Sequence, residues 1–178
     1  NDWSGSASYW LSLSPDEDLE PGFCDPVQIT DSAYNDSAVW CDFTKDDKPR
    51  HFRLGVFGDL KAWNPENNPA GEDPRFLNRL VVVNPTPFER GKWTHVVATY
   101  SPLGTAAGTA KLYLNGELQG TSENISEAFT WDMEKAAFRI GVGYVGLFDE
   151  AALFDRALTA EEVKALYELE DGVASPHP

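Results

Sequence analysis

Apolar and β-branched residues collect in short runs along this chain, several alternating with polar residues, and turn-forming residues fill the gaps. The runs are "SASYWLSL", "PVQIT", "SAVWCDF", "HFRLGVF", "RLVVV", "THVVATY", "AKLYL", "ELQG", "AFRIGV" and "GLFDEAALF", which predict about ten strands. Pro, Gly, Asn and Asp crowd "SPDEDLEPG", "KAWNPENNPAGEDP" and "SPLGTAAGTA", which supply turns and leave no room for crossover helices. A parallel βαβ sheet is disfavoured, and two antiparallel sheets packed face to face, a sandwich or jelly roll, are expected. Asn115-Gly116, between β-rich flanks, suits a two-residue hairpin turn with positive φ at both centres. The period changes only once, near the end. After the alternating Leu147 to Phe154, Val163, Leu166 and Tyr167 fall three and four apart, predicting one short C-terminal helix whose apolar face seals one end of the sandwich. Thr159 and Glu162 form a capping box, and Glu161 and Glu162 complement the helix dipole.

A length of 178 residues, 42% of them hydrophobic and 12% aromatic, fits one domain with a substantial core. The formal charge of −15 would repel a phosphate backbone or an anionic bilayer, so nucleic acid is not an expected partner and the acidity reads as a solvated surface. No run of about 18 apolar residues predicts a membrane-spanning helix, and the polar Asn1 to Gly5 does not resemble a signal peptide. The first residue is not Met, which fits a mature product or an excised piece. Cys24 and Cys41 are the only cysteines and build none of the common zinc or haem-attachment patterns. They flank neighbouring predicted strands, where a cross-strand disulfide and two buried free thiols are both open.

"GKWTHVVATY", "AKLYLNGELQG", "FRIG" and above all "GLFDEAALFDRALTAEEVKALY" resemble the laminin-G-like branch of the concanavalin A-like lectin/glucanase superfamily. That resemblance covers roughly Gly91 to Glu168, with a fainter match at "SASYWLSL". It implies an all-β concanavalin A-like jelly roll over residues 1–170, closed by a strand with Asp149-Glu150, the turn Arg156-Ala157-Leu158 and the helix from Thr159, with "DGVASPHP" at 171–178 as a tail. A second likeness, over residues 24–59, is to laminin-G-like modules of large secreted bacterial proteins that also carry cytochrome-c-like domains. Relatives usually begin with a further strand paired to the closing strand. Here that strand is expected to lie on another polypeptide piece or to have been removed, leaving an unpaired edge.

The same superfamily contains glycoside hydrolases, which need two carboxylates facing the sugar. Their strand motif Glu-x-Asp-x-x-Glu is absent, and "DEDLE" (Asp16, Asp18, Glu20), beside Pro15 and Pro21-Gly22, reads as a solvated turn. His51, His95 and His177 suggest no Ser-His-Asp set, His95 being expected as a sheet or core residue. With no Gly-rich phosphate loop either, catalysis and nucleotide cofactors are not expected. No cofactor is required, but the resemblance admits calcium, which needs six to eight oxygens. Asp149 matches by position a calcium ligand of related glucanases, and Asp31, Asn35 and Asp36 resemble a calcium loop of pentraxins, although the pentraxin site's second acidic loop is missing from "GVGYVG". Structural readings compete: a sheet-surface Asp149, and an Asx turn over residues 31–36.

Sugars stack on flat aromatic rings and hydrogen-bond to planar polar side chains. Trp63, in the polar excursion Lys61 to Phe76 beside Asn64, Asn67 and Asn68, leads the candidates, with Trp131 second; anchoring of the loop is the competing role for Trp63. Trp10, Trp40 and Trp93, within strand runs, are expected in the core. The leading expectation is a non-catalytic, extracytoplasmic recognition module of a larger protein, binding glycans. The alternative is a structural domain that packs against other domains of its parent and holds no small ligand.

Overall fold

Trp3–Ser12 (β1) shows how the sequence pattern becomes a layer: Ala7, Tyr9 and Leu11 are buried in the main core, while Ser6, Ser8, Trp10 and Ser12 alternate with them on the opposite face. The computed structural model describes residues 3–69, 71, 73–105 and 107–169; the 171–178 segment and His177 lie outside them. The chain continues through α1 (Pro15–Asp18), β2 (Cys24–Thr30), β3 (Ala38–Phe43), β4 (Phe52–Phe57), α2 (Leu60–Trp63), α3 (Pro74–Leu77) and β5 (Val81–Val83). It ends with β6 (Thr94–Leu103), β7 (Gly108–Leu114), β8 (Glu117–Ile125), β9 (Ala137–Val142), β10 (Leu147–Phe154) and α4 (Ala160–Tyr167). Every run read as a strand is one.

The strands form two five-stranded antiparallel sheets, ordered β10-β1-β6-β7-β8 and β5-β4-β3-β2-β9. Between them lies one core, in which Phe43, Phe52 and Phe88 meet with ring centroids 4.9 to 5.0 Å apart and Tyr9 stacks on Phe148 at 5.3 Å. Each such ring contributes roughly 1.5–3 kcal/mol on burial. The predicted hairpin is present, with φ of 51° at Asn115 and 80° at Gly116.

The capping box of α4 is also present, Thr159 accepting from the Glu162 backbone and Glu162 reaching back to Thr159. The helix does not seal an end of the sandwich. It lies on the outer face of the first sheet, where Leu158 and Val163 are buried with Val97 and Tyr113, and the rings of Trp10, His95 and Tyr167 stack on one another. Ser6, on that same outer face, donates to the Arg156 carbonyl and accepts from the Leu158 N–H at 2.9 Å each. That hydroxyl pins the Arg-Ala-Leu turn down.

The closing strand β10 pairs with β1 alone and β9 with β2 alone, so both are sheet edges among the described residues. Leu153 is opposite the core residue Ala7 and Ile140 opposite the core residue Val27, yet both are exposed.

Other expectations need correction. "DEDLE" opens as the one-turn helix α1, whose carboxylates fasten neighbouring segments: Asp16 accepts from the Arg50 N–H and Asp18 pairs with Arg90. Trp93 is not core; it precedes β6 and is exposed. Cys24 and Cys41 are free, buried thiols: Cys24 is opposite Phe43 and Cys41 opposite Val27, so the register never makes them partners.

Candidate functional site

The outer face of the second sheet is where polar residues interrupt otherwise buried strands. β3 sends Val39, Cys41 and Phe43 to the core and Ala38, Trp40 and Asp42 outward. Directly opposite Asp42 on β4 is Arg53, and opposite Trp40 is Gly55. The indole of Trp40 lies flat over that glycine; a Cβ at Gly55 would stand 2.3 Å from its Cζ2. Glycine is required here because a second strand's aromatic ring occupies the side-chain space.

The long excursion after β4 folds onto this face and covers part of it. Trp63 and Phe76, from α2 and α3, pack with Trp40 and Phe57 into a second apolar cluster, Phe57 and Phe76 stacking at 4.5 Å. Asn64 is buried and clamps the loop, exchanging hydrogen bonds of 3.0 Å with the backbone of Asn68 and accepting from Arg75 at 3.2 Å. The uncovered part is a cavity of about 460 Å³ whose walls include Phe23, Ala33, Tyr34, Gly71 and Phe76, the Tyr34 and Phe76 rings meeting edge to face at 6.4 Å. Its floor is Trp40, Asp42, Arg53, Asp25, Gln28 and Arg139. That volume suits a small ligand.

Two hydrogen-bonded assemblies make up the polar floor. Arg53 donates Nε to Asp42 Oδ1 at 2.8 Å and an Nη to the other oxygen, a bidentate ion pair that also places the guanidinium 5.6 Å over the Trp40 ring. Burial pushes the Asp42 carboxyl up and Arg53 pulls it back, while Arg53 itself is held firmly protonated by Asp42 despite its burial. The second assembly is a relay. Arg139 Nη1 donates to Gln28 Oε1 at 2.8 Å, and Gln28 Nε2 donates to Asp25 Oδ2 at 3.1 Å. Burial, reinforced by the nearby Asp42 charge and opposed by Arg53, raises Asp25 to about 7. Such a perturbed group in a cleft is characteristic of functional sites.

Above this floor, Phe23 and Tyr34 form the exposed lip: Phe23 is 69% and Tyr34 40% accessible, and their rings stack at 6.4 Å. Trp40 Nε1 donates to the Tyr34 carbonyl at 2.6 Å, tying the lip to the floor.

The sequence-derived candidates behave otherwise. Trp63 is only 2% exposed and its Nε1 donates to the Asn35 carbonyl at 2.9 Å, so it anchors the excursion. Asn67 occupies a turn with φ of 53°. Trp131 is half-buried against Trp3 and Phe129, donating to the Ser37 carbonyl. A wider depression beside Asn68, Pro69, Asp73, Pro74 and Arg75 carries no aromatic ring among its described lining residues.

The calcium candidates act as local hydrogen-bond acceptors. Asp31 accepts from the Asp132 N–H at 2.7 Å, Asp36 from the Leu60 N–H at 2.8 Å, and Asp149 from the Glu150 N–H at 2.8 Å. Asn35 contributes its carbonyl to Trp63. Among the described residues, no three His, Cys, Asp or Glu side chains gather as a metal site. Two acids, Asp25 and Asp42, both line the cavity. Adjacent charged residues at outward positions of two paired, otherwise apolar strands, Asp42 and Arg53, were the sequence signal for this site.

The profile of the laminin-G family described as the concanavalin A-like lectin/glucanases superfamily matches residues 27–164, well over half of the chain. No curated protein sequence matches. Among solved structures, the botulinum neurotoxin serotype D binding domain superposes with a TM-score of 0.56 at 14% identity, over 93% of this chain and 36% of that one. The mosaic serotype C/D receptor binding domain gives 0.54 at 14% identity, over 94% and 36%. The chain thus spans 36% of the length of these neurotoxin domains. A carbohydrate-binding module (CBM40) of the Ruminococcus gnavus IT-sialidase, solved with α2,3 sialyllactose, gives 0.52 at 14% identity, over 94% of this chain and 83% of that one. At such identities these likenesses establish the fold, and with the profile match they show that the chain belongs to the concanavalin A-like lectin/glucanase superfamily.

Proposed function

We propose that this chain is a non-catalytic recognition module of a larger, extracytoplasmic protein and binds a saccharide in the cavity on the outer face of the second sheet. The observation that carries this is the exposed stacked pair Phe23 and Tyr34 standing over a polar floor of Gln28, Asp25 and Arg139. Aromatic faces accept the apolar side of a pyranose, and planar amide, carboxyl and guanidinium groups match its hydroxyls. The likeness to a module solved with sialyllactose supports the same reading.

Binding is favoured over hydrolysis because the two acids of the cavity are not equivalent free carboxylates. Both oxygens of Asp42 hold Arg53, which leaves Asp25 alone, whereas glycoside hydrolysis needs two working carboxyl groups. A glycan array probed with the chain, with and without chelator, tests the proposal and its calcium dependence together. Binding that falls about tenfold in Tyr34→Ala, with no turnover of the bound saccharide, supports it; an empty array, or cleavage of the saccharide, contradicts it. A second reading, a structural domain packing against its parent, draws on the edge strands β10 and β9, where Leu153 and Ile140 lie exposed. Stable association with other regions of the parent, together with an empty array, would favour that reading.

A further inference from the structure

Resting on the saccharide reading of this cavity, we infer that its ligand is an acidic saccharide whose carboxylate docks on Arg139. The charges of the cavity differ in whether a partner already satisfies them. Of the two guanidinium groups, Arg53 is spent: its bidentate pair with Asp42 uses both carboxylate oxygens and leaves that assembly neutral. Arg139 makes no ion pair among the described residues. Its hydrogen-bond partner is the neutral amide oxygen of Gln28, at 2.8 Å through Nη1 alone. A guanidinium carries five N–H donors and binds carboxylates through two parallel bonds, so Arg139 keeps donors for a ligand.

Gln28 fixes the direction of that cation. Its amide is oriented at both ends, accepting from Arg139 and donating to Asp25, so the guanidinium is held at the cavity without being neutralised by an acid in direct contact. Strand register makes the arrangement rigid: Arg139 is opposite Gln28 and Val142 opposite Asp25 on the paired strands β9 and β2. An arginine placed in this way, beside an exposed aromatic lip, matches a pyranose bearing a carboxylate, either a uronate or a sialate. A neutral sugar would leave its charge unanswered.

Asp25 makes this recognition pH-dependent. The groups that face it are Asp42 on β3, Arg53 on β4, Arg139 through Gln28 on β9, and the adjacent Cys24 thiol, itself pushed up to about 12 by burial. With Asp42 and Arg53 paired, the ionised Asp25 is an anion without an ion-pair partner among the described residues, and it lies beside an incoming carboxylate. Its proton uptake, at about 7, removes that repulsion. Acidic-saccharide binding therefore tightens as pH falls from 8 to 6, by up to about tenfold if one such group titrates in full.

The test compares matched probes by titration calorimetry: α2,3-sialyllactose against lactose, and a glucuronate-capped disaccharide against its glucose-capped counterpart. The acidic member of at least one pair is expected to bind about tenfold tighter or more, and which pair responds identifies sialate or uronate as the source. Arg139→Gln should abolish that preference, weakening the acidic member of the pair more than the neutral one, Arg139→Lys should keep part of it, and Asp25→Asn should remove the pH dependence. Unfolding midpoints show that each variant is folded. If the chain binds saccharides but treats both members of each pair alike, or if Arg139→Gln leaves the preference intact, the acidic-ligand inference is wrong while the saccharide site stands. If no probe and no arrayed glycan binds, both fall together.

Discussion

Replacing Asp25 by Asn should make the protein more stable at pH 8, although Asp25 is buried and hydrogen-bonded. The folded state raises this carboxyl from its ordinary value of 3.8 to about 7, chiefly through burial. A carboxyl raised on folding binds its proton more tightly in the native state than in the unfolded chain. The stability it contributes is fully present below about pH 3.8 and is lost as pH rises through about 7. Each unit corresponds to about 1.4 kcal/mol, so a shift of about three units sets an upper bound of about 4 kcal/mol at pH 8. Solvent access to the cavity reduces that to about 2–4 kcal/mol. Asparagine keeps an acceptor for Gln28 Nε2 and carries no charge at any pH, so it avoids the loss. Urea unfolding of wild type and Asp25→Asn at pH 8 and pH 4.5, with midpoint and slope compared at each, measures the effect. The variant should be the more stable at pH 8, with the gap shrinking strongly at pH 4.5. A variant that is no more stable at pH 8, or a gap that ignores pH, would refute the reasoning.

Further outcomes follow from the same structure. His95 is buried, its Nε2 lies 2.8 Å from Ser8 Oγ, its Nδ1 has no partner, and burial lowers it to about 4; because the unfolded chain takes up the proton first, its contribution is lost as pH falls from about 6.5 to 4. That loss amounts to about 3 kcal/mol, and His95→Gln should remove it from the difference between urea midpoints at pH 7 and pH 4.5. Gly55→Ala should cost about 1–3 kcal/mol in thermal unfolding and weaken saccharide binding together, because the new methyl displaces Trp40 from the cavity floor; unchanged tryptophan fluorescence and affinity would count against this. Trp63→Phe should lose about 1–2 kcal/mol with the bond to Asn35 and leave saccharide affinity untouched; a tenfold drop in affinity in a fully folded variant would return Trp63 to the ligand.

The fold was readable because its signals are local. Alternation in "SASYWLSL", the positive-φ pair Asn115-Gly116 and the capping box from Thr159 each act over a few residues and survive into the structure. The position of α4 was not readable, because it depends on Ser6, 150 residues distant, holding the Arg156 carbonyl. The cavity was invisible for the same reason. Its parts come from the turn at Phe23, the loop at Tyr34, the floor of three neighbouring strands, the excursion at Phe76 and Arg139 far downstream, and only sheet register brings them together. Trp63 misled because a tryptophan in a polar loop reads alike whether it faces water or the sheet; Phe57, Trp40 and Phe76 supplied the apolar surface that drew it in. Tyr34 was overlooked because its Asx-rich surroundings drew attention to oxygen ligands rather than to the ring.

We place ligand binding on the outer face of the second sheet. A ¹H–¹⁵N correlation spectrum observing backbone, indole and arginine Nε resonances, titrated with the saccharide giving the strongest array signal, tests it most directly. Shifts concentrated at Tyr34, Trp40 and Arg139, with Trp10, Trp93 and Trp131 silent, are the predicted result. Shifts centred on any of those three tryptophans, with the cavity residues unmoved, would contradict it.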